Sequence, residues 1–333
     1  MRRHALPWMC ALSALLGMHC DRSRPAPGGA GSEATATPGS AAPAGSAGPV
    51  KLTVAVIAIV DVAPIYLGKA KGFFAAENLD VTIQNTLGGA ASVPGVVSGQ
   101  YQFAFANLVS LLLGHAKGLP LKVVAAGNFS TGKPEDFGGI VVPAGSPVKT
   151  MKDLEGKTLS VNQLNNIVGV GVRAAMRKAG ADPDKLKLIE IPFPEMPAAL
   201  GQGRVDAACV VEPFLTVARN QGAGVLDWPF VDTAPSLMIA AYFTTTDYAQ
   251  HHPDVVKHFT AAIDRSLTYA SEHPDEARAI LLTYTKIEKP IADKLNLPKW
   301  TPQIDRTSID VLADLMVKDK LLTGKPDVAA LLP

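Results

Sequence analysis

An unbroken apolar run at residues 51–59 constrains the fold of this chain more than any other feature of its sequence. After Lys51 it contains only apolar side chains and one threonine, so neither face of a strand built from it would be polar. Strands of this kind occur in parallel sheets that helices cover on both faces. The run therefore predicts an α/β fold rather than a sandwich or a helix bundle.

Strand-like and helix-like segments alternate along the first half of the chain. The predicted helices and strands are, in order, a helix at 64–71, a strand at 79–84, a helix at 90–97, a strand at 103–106, a helix at 109–117 and a strand at 121–126. Helices of about ten residues between strands are typical of crossover connections in a parallel sheet.

The second half of the chain repeats this alternation. It predicts strands at 158–161, 186–191 and 206–211, with a helix that ends at Gly180 and further helices that begin near Pro197 and Pro213. Beyond residue 243 the pattern is mostly helical, and Pro253, Pro274 and Pro302 are placed as early helical residues. We expect two α/β halves followed by a helical C-terminal layer.

The first 20 residues have the features of a cleaved export signal. Arg2 and Arg3 form a short positive segment, and the apolar stretch at 5–16 is too short to span a bilayer. Residues 15–20 are similar to a bacterial lipoprotein processing site, which predicts lipidation of Cys20. Large residues at positions 18 and 19 are unusual there, so ordinary secretion is the alternative.

Residues 21–49 are predicted to be a disordered linker. From position 25 onward they contain only Ala, Gly, Pro, Ser and Thr apart from Glu33, so they offer no large apolar side chain to bury. A flexible coil of this length spans about 25–30 Å. This linker favours a domain on the periplasmic or outer side of a bacterial membrane, held to the membrane only by a lipid at Cys20.

Charge and cysteine content exclude several classes of protein. Lys+Arg (31) and Asp+Glu (30) nearly balance, so no nucleic-acid partner is expected. Three cysteines in 333 residues are too few for a disulfide framework. Cys209 lies in an apolar run, which predicts that it is buried.

Three local motifs suggest chemistry that their contexts do not favour. The glycines of residues 169–171 are similar to a dinucleotide fingerprint, but they fall inside a predicted helix. Residues 156–158 resemble the end of a phosphate-binding loop that lacks its first glycine. His251, His252 and His258 surround a helix start and indicate a solvated helix surface. We therefore expect no enzyme activity, no cofactor and no metal.

Polar and aromatic side chains concentrate where predicted strands end. Open α/β sheets bind ligands at the carboxyl ends of their strands, although each of these residues alone is also a candidate helix cap. The candidate ligand-binding residues are Asp61, Tyr66, Gly89, Ala90, Asn107, Asn128, Phe129, Gln163, Asn165, Asn166, Glu212 and Phe214.

Several motifs, in their order and spacing, resemble those of the NMT1/THI5-like and SsuA-like substrate-binding proteins over residues 52–285. The motifs similar to the first lobe of that family are PIYLGKAKGFF at 64–74, LDV at 79–81 and SGQYQFA at 98–104. Those similar to its second lobe are PFPEMPAAL at 192–200, GRVDA at 203–207 and EPF at 212–214.

The resemblance implies a type II-like periplasmic-binding-protein fold with two parallel-core sheets joined by two crossing segments. It places the first lobe at 50–141 and 237–333 and the second at 142–236, with crossings near 141–142 and 237–240. It implies a monomer that closes on a small sulfonate, nitrate, pyrimidine-like or other polar or aromatic molecule. The partners implied are the permease and ATPase subunits of an ABC importer.

The sequence departs from the family pattern at two places. Residues 162–166 carry amides where anion-binding relatives often have Gly and Ser, so the ligand is expected to be neutral or to carry both donors and acceptors. Gln102 replaces a usual aspartate in a turn. A ligand-sensing subunit remains an alternative, and so does a pyrimidine-precursor synthase-like enzyme, although this chain lacks that enzyme's cysteine-rich motif.

Overall fold

The strands of the protein form two separate five-stranded sheets in the computed structural model, which describes residues 48–333. The strands of the first half are β1 (Val50–Val56), β2 (Leu79–Asn85), β3 (Phe103–Asn107) and β4 (Leu121–Phe129). Those of the second half are β5 (Gly138–Val142), β6 (Thr158–Val161), β7 (Lys187–Glu190), β8 (Ala207–Val211) and β9 (Gly224–Asp227). The last strand, β10 (Met238–Thr245), returns to the first sheet.

Each sheet has a parallel core and antiparallel additions. In the first sheet, β1 pairs in parallel with β2 and β3, and β10 lies antiparallel between β3 and β4. In the second sheet, β6 pairs in parallel with β7 and β8, and β5 lies antiparallel between β8 and β9. This arrangement confirms the predicted two-lobed α/β fold.

Helices connect the strands and form the C-terminal layer. They are α1 (Ala63–Ala70), α2 (Phe73–Ala76), α3 (Gly89–Val97), α4 (Leu108–Ala116), α5 (Ile167–Lys178), α6 (Met196–Gly201), α7 (Phe214–Asn220), α8 (Pro229–Thr233), α9 (Thr246–His251), α10 (Pro253–Glu272), α11 (Pro274–Ile280), α12 (Lys289–Ala292) and α13 (Arg306–Lys318). Pro253 and Pro274 start helices as predicted. Pro302 does not, because α13 begins after its N-cap Asp305.

Aromatic side chains join the long helix α10 to the first sheet. The Phe259 ring on α10 stacks on Phe103 of β3, with the ring centroids 3.9 Å apart, and meets Tyr242 of β10 edge-on. In the second lobe, Phe137 stacks on Phe230 of α8 at 5.6 Å. Full burial of such side chains contributes about 1.5–3 kcal/mol each, so both lobes have cores of their own.

The first crossing between the sheets lies earlier than predicted. Strand β5 already belongs to the second sheet, where Ile140 pairs with Cys209 of β8, so the chain crosses at residues 130–137. The predicted crossing at 141–142 is therefore displaced by several residues, because an all-apolar strand fits the interior of either sheet. The return crossing lies at residues 234–237, between α8 and β10.

Strand β1 is shorter than its apolar run. It ends at Val56, and residues 57–59 turn out of the sheet instead of extending it. The Ile59 N–H donates to the Ile57 carbonyl, and the Val60 N–H donates to the carbonyl of Glu212 in the second lobe. The apolar side chains of this segment therefore face a gap between the lobes, which the sequence does not distinguish from a core.

The motifs with an unfavourable context are structural in this fold. Gly171 lies inside α5, where an added Cβ would approach the Phe230 ring to 3.4 Å, so it permits close packing of α5 on α8. His258 Nδ1 lies 2.5 Å from Glu77 Oε2.

Within residues 48–333, no group of three or more His, Cys, Asp or Glu side chains is arranged to hold a metal ion. None of the helices in this part of the chain is long and apolar enough to cross a membrane.

Candidate functional site

A cavity of about 40 Å³ lies between the two lobes, at the carboxyl ends of β1, β3, β6 and β8. Both lobes contribute to its wall. The lining residues of the first lobe are Ile57, Ile59, Asp61, Gly88, Gly89, Phe105, Ala106, Asn107, Ile239 and Ala240. Those of the second lobe are Asn162, Asn166, Ile167, Val168, Phe193, Val211 and Phe230.

Three helices begin at this cavity, and two of them are capped by asparagine. Asn107 caps α4 by accepting a hydrogen bond from the Ser110 N–H at 3.0 Å. Asn166 caps α5 by accepting from the N–H groups of Val168 and Gly169 at 3.1 and 3.3 Å. Helix α3 differs because its N-cap, Gly88, has no side chain. The first N–H groups of α3 therefore have no side-chain cap and are available to an acceptor group in the cavity.

The lobes touch directly beside the cavity. The Asn107 side-chain oxygen also accepts from the Ile167 N–H, across the lobes, at 3.3 Å. The lobes also meet at Gly88, which precedes α3 in the first lobe. A Cβ added to Gly88 would lie 2.5 Å from Oε1 of Gln163 in the second lobe. Gly88 has a φ of 144°, which L side chains rarely adopt. Glycine at this position therefore lets the two lobes approach closely.

Asp61 provides the cavity with a buried carboxyl group. It lies on a 3-10 turn at Val60–Val62, and only 3% of its surface is exposed. Its backbone carbonyl accepts from Trp300 Nε1 at 3.2 Å, which fixes the turn. Its Oδ1 atom has no hydrogen-bond partner within residues 48–333. Burial raises the Asp61 pKa to about 7, because desolvation disfavours the carboxylate.

Two further buried polar groups lie next to Asp61, and we call the three residues the Asp61 cluster. Both amide atoms of Asn128 and the hydroxyl of Tyr242 lack hydrogen-bond partners in the described part of the chain. The Asn128 amide lies close enough to the Asp61 carboxyl group to lower its pKa, although it forms no hydrogen bond with Oδ1. Burial raises the Tyr242 pKa, and the charges of Tyr66 and Asp61 add to this effect. An unpaired buried polar group costs about 1–3 kcal/mol, so the cluster lowers stability.

The cavity contains an acid without a compensating base. Asp61 is the one ionisable residue among the described residues that line it, and the remainder of the wall is apolar or amide. The apolar wall side chains include Phe105, Phe193 and Phe230. A pocket with this wall suits a ligand with a flat or apolar body and a few polar groups.

Four of the twelve sequence candidates line the cavity, namely Asp61, Gly89, Asn107 and Asn166. Asn128 lies behind Asp61, and Gln163 has its buried Oε1 beside Gly88. Ala90 and Asn165 are exposed and outside the wall, and Asn165 adopts a φ of 56° just before the cap of α5. Cys20 lies outside the described residues.

Three aromatic candidates have other contacts. The Tyr66 ring stacks on Tyr284 at 3.9 Å, and its hydroxyl donates to Asn85 Oδ1 at 3.0 Å. Phe129 forms a bridge with Lys299. Phe214 stacks behind Phe193 and lines a separate groove of about 640 Å³. Each of these residues is close in sequence to residues that line the cavity. The ring itself is not part of the cavity wall.

Glu212 joins the lobes and does not line the cavity. It is fully buried, and its Oε2 accepts from the Thr216 N–H at 3.0 Å. Its Oε1 accepts from the Thr216 hydroxyl at 2.8 Å and from the Asn296 N–H at 3.2 Å. Burial raises the Glu212 pKa to about 7. Both oxygens of the Glu212 carboxyl group therefore accept hydrogen bonds from the protein, so Glu212 can be buried without a ligand.

The apolar wall is the part of the site that sequence reasoning missed. Ile57, Phe105, Phe193 and Ile239 follow the same patterns as core residues, and no local signal separates a cavity wall from a core. Asn162 was detectable, because it follows a predicted strand end in the amide-rich segment.

This two-lobed fold with a cleft between its sheets is that of the periplasmic binding proteins. The chain belongs to the NMT1/THI5-like family, whose sequence model matches residues 59–277. This match covers more than half of the chain. The resemblance inferred from sequence is therefore confirmed.

Three known proteins show the range of similarity. A Bacillus subtilis (strain 168) protein named for binding aliphatic sulfonates is 23% identical over 80% of this chain and 81% of its own. A 4-amino-5-hydroxymethyl-2-methylpyrimidine phosphate synthase of Candida albicans (strain WO-1) is 25% identical, over 71% and 70%. The ligand-binding component of an ABC-type import system from Staphylococcus aureus, solved with zinc bound, has a similar fold. Its TM-score is 0.74 at 15% identity, over 85% of this chain and 96% of that one.

Proposed function

We propose that this protein is an extracytoplasmic solute-binding protein that encloses a small molecule between its lobes and delivers it to the permease and ATPase subunits of an ABC importer. The observation that carries the proposal is the cavity whose wall is shared by both lobes at the strand ends. The family and the relatives named for binding support the same function.

The size of the cavity requires lobe movement. About 40 Å³ has room for roughly three water molecules, because one water needs about 10–15 Å³ on this measure. A larger solute enters only when the lobes separate. A solute that then contacts Asn107 in one lobe and Asn166 in the other stabilises the closed arrangement, since half of the cleft cannot provide both contacts.

The same cavity is unsuited to the chemistry of the synthase-like relative. Cys209 is fully buried in β8, and burial raises the pKa of its thiol, so it is unavailable as a nucleophile or ligand. The other cysteines, at positions 10 and 20, lie in the segment that we assign to export. We propose binding without catalysis.

The proposed location follows from the N-terminal sequence. We assign residues 1–20 to a lipoprotein-type signal, 21–49 to a linker, and Cys20 to the lipid attachment site. The first lobe then comprises β1–β4 with β10 and the C-terminal helices, and the second comprises β5–β9 with their helices. The domain would work as a monomer outside the cytoplasmic membrane.

Calorimetric titration of cleft variants tests solute binding. The probes are taurine, nitrate, 4-aminobenzoate and 4-aminopyrimidine. Asn166→Ala removes a cavity amide and a helix cap, whereas Asp305→Ala removes only the comparable cap of α13. We expect a probe to bind the wild type, to bind Asn166→Ala at least about tenfold more weakly, and to bind Asp305→Ala normally. Equal losses in both variants would contradict a role of Asn166 in the cleft.

Uptake tests delivery to an importer. In the native host, deletion of the gene should abolish uptake of the radiolabelled probe that binds, and the wild-type gene should restore it. Binding without any change in uptake would contradict delivery and favour the ligand-sensing alternative.

A further inference from the structure

We propose that the cleft selects solutes that present a nitrogen donor group, such as an amine, an amidine or an amino-heteroaromatic ring, to the carboxyl group of Asp61. This inference rests on the proposed function and specifies its ligand class. It separates this protein from relatives named for purely anionic ligands.

Asp61 is buried at the cavity. It is one of the lining residues, only 3% of its surface is exposed, and its Oδ1 atom has no hydrogen-bond partner within residues 48–333. A buried carboxylate is retained in proteins when it is paired, and Asp61 is not paired with any base within residues 48–333. Above its pKa of about 7 the Asp61 carboxylate has no donor at Oδ1, and a solute in the cavity can supply one.

Asp136 is a second buried aspartate of the same chain, with which Asp61 can be compared. The Asp136 carboxylate accepts from the Ser130 hydroxyl at 2.6 Å and from the Thr131 N–H at 2.9 Å. The fold therefore provides donors where a buried carboxylate serves structure. To Asp61 it offers the neighbouring Asn128 amide, which makes no hydrogen bond to Oδ1, so this atom is left for a donor from a solute.

Donors and acceptors around the cavity also favour a solute that carries both kinds of group. The caps Asn107 and Asn166 occupy N–H groups of α4 and α5 that could bind an anion. The N–H groups at the start of α3 remain, so an acceptor on the solute has a place there. A solute with a donor at Asp61 and an acceptor at α3 satisfies both ends, whereas an anion alone would meet the Asp61 charge without a base.

Matched pairs of probes test the role of the donor. The pairs are taurine with ethanesulfonate, 4-aminobenzoate with benzoate, and 4-aminopyrimidine with pyrimidine, each titrated calorimetrically into the full-length protein at pH 8. A charge-assisted hydrogen bond predicts that the amino member of at least one pair binds at least about tenfold more tightly than its partner.

Two variants assign this preference to Asp61. Asp61→Asn should reduce the ratio of affinities within the pair to nearly one. Asp264→Asn, which removes a half-buried aspartate on α10, should leave the ratio unchanged, because Asp264 does not line the cavity. Thermal unfolding of the ligand-free Asp61→Asn protein shows separately that the variant folds.

The contrary outcomes are distinct. Equal binding of both members of every pair, or an unchanged preference in Asp61→Asn, overturns the donor assignment and leaves solute binding in place. Failure of every amino probe to bind also overturns the assignment, whereas binding of nitrate or of a probe without an amino group would then still support the proposed function.

Discussion

The side-chain oxygen of Asn107, which caps α4 in the first lobe, accepts a hydrogen bond from the backbone N–H of Ile167 at the start of α5 in the second lobe, at 3.3 Å. The same oxygen accepts from Ser110 within its own helix. One amide therefore fixes a helix start and joins the lobes at the edge of the cavity. Lobe closure and solute contact share this side chain.

Replacing Asn107 with alanine should open the ligand-free protein. The variant loses the contact between the lobes and a helix cap, and the lost cap costs about 1 kcal/mol. Small-angle X-ray scattering should show a larger radius of gyration than in the wild type. Thr245→Val, which removes the cap of α9 away from the cavity, is the control. An equal radius in Asn107→Ala and the wild type would show that this contact does not hold the lobes together.

Gly88→Ala should weaken solute binding by preventing full closure. Its Cβ would lie 2.5 Å from Gln163 Oε1, and its φ of 144° adds strain. An overlap of this kind costs about 1–3 kcal/mol. Calorimetry with the probe that binds the wild type measures the loss.

Two further variants separate overlap from backbone strain in that experiment. Gly118→Ala has a φ of 80° and open space around the new Cβ, so it should leave affinity unchanged. Adding Gln163→Ala to Gly88→Ala should restore part of the affinity. A double variant as weak as the single one would show that contact with Gln163 is not the cause.

Asp61→Asn should stabilise the ligand-free protein at high pH more than at low pH. The folded-state pKa of about 7 exceeds the ordinary aspartate pKa of 3.8, so burial of Asp61 lowers stability progressively as pH rises from about 4 to 7. With about 1.4 kcal/mol for each pKa unit, the full effect above pH 7 is about 4 kcal/mol. Urea unfolding at pH 4.5 and pH 8 should show the gain mainly at pH 8.

Other groups that titrate in this range are common to both proteins. Glu212 also has a pKa near 7, and burial raises the pKa of Asp136, so the comparison uses the difference between variant and wild type at each pH. A pH-independent difference would contradict an ionisable, unpaired Asp61.

Glu212→Ala should destabilise the fold by about 2–3 kcal/mol. The backbone N–H groups of Thr216 and Asn296 would lose their buried acceptor, and such orphaned groups account for this size of loss. Glu212→Gln keeps one carbonyl oxygen and should be milder. Urea denaturation measures both. A destabilisation that is equal in the two variants would contradict the acceptor role.

The sequence was sufficient for the fold and for part of the site. The alternation of strand-like and helix-like segments predicted the two α/β halves. The positions of the predicted strand ends identified Asp61, Asn107 and Asn166 as candidate site residues. It could not place the β1 terminus, because Ile57 and Ile59 are as apolar as core residues. The sequence also could not predict that Glu212 links the two lobes, since its hydrogen-bond partner Asn296 is 84 residues away in sequence.

The same limitation applies to the aromatic candidates. Tyr66 follows a strand end and was a reasonable stacking residue for a ligand, but Tyr284 from the C-terminal layer stacks on its ring. A turn residue more than 200 positions away in sequence therefore decides what the Tyr66 ring contacts. Local pattern carries no information about such contacts.

The most direct test is an NMR titration of ¹⁵N-labelled protein with taurine, 4-aminobenzoate and 4-aminopyrimidine. The amide signals of Gly89 in the first lobe and Ile167 in the second report the two sides of the cavity. The account predicts that a bound probe shifts both signals together, with one dissociation constant, and that Asp61→Asn weakens the effect. Shifts confined to one lobe, or to the separate groove around Phe214, would contradict binding between the lobes.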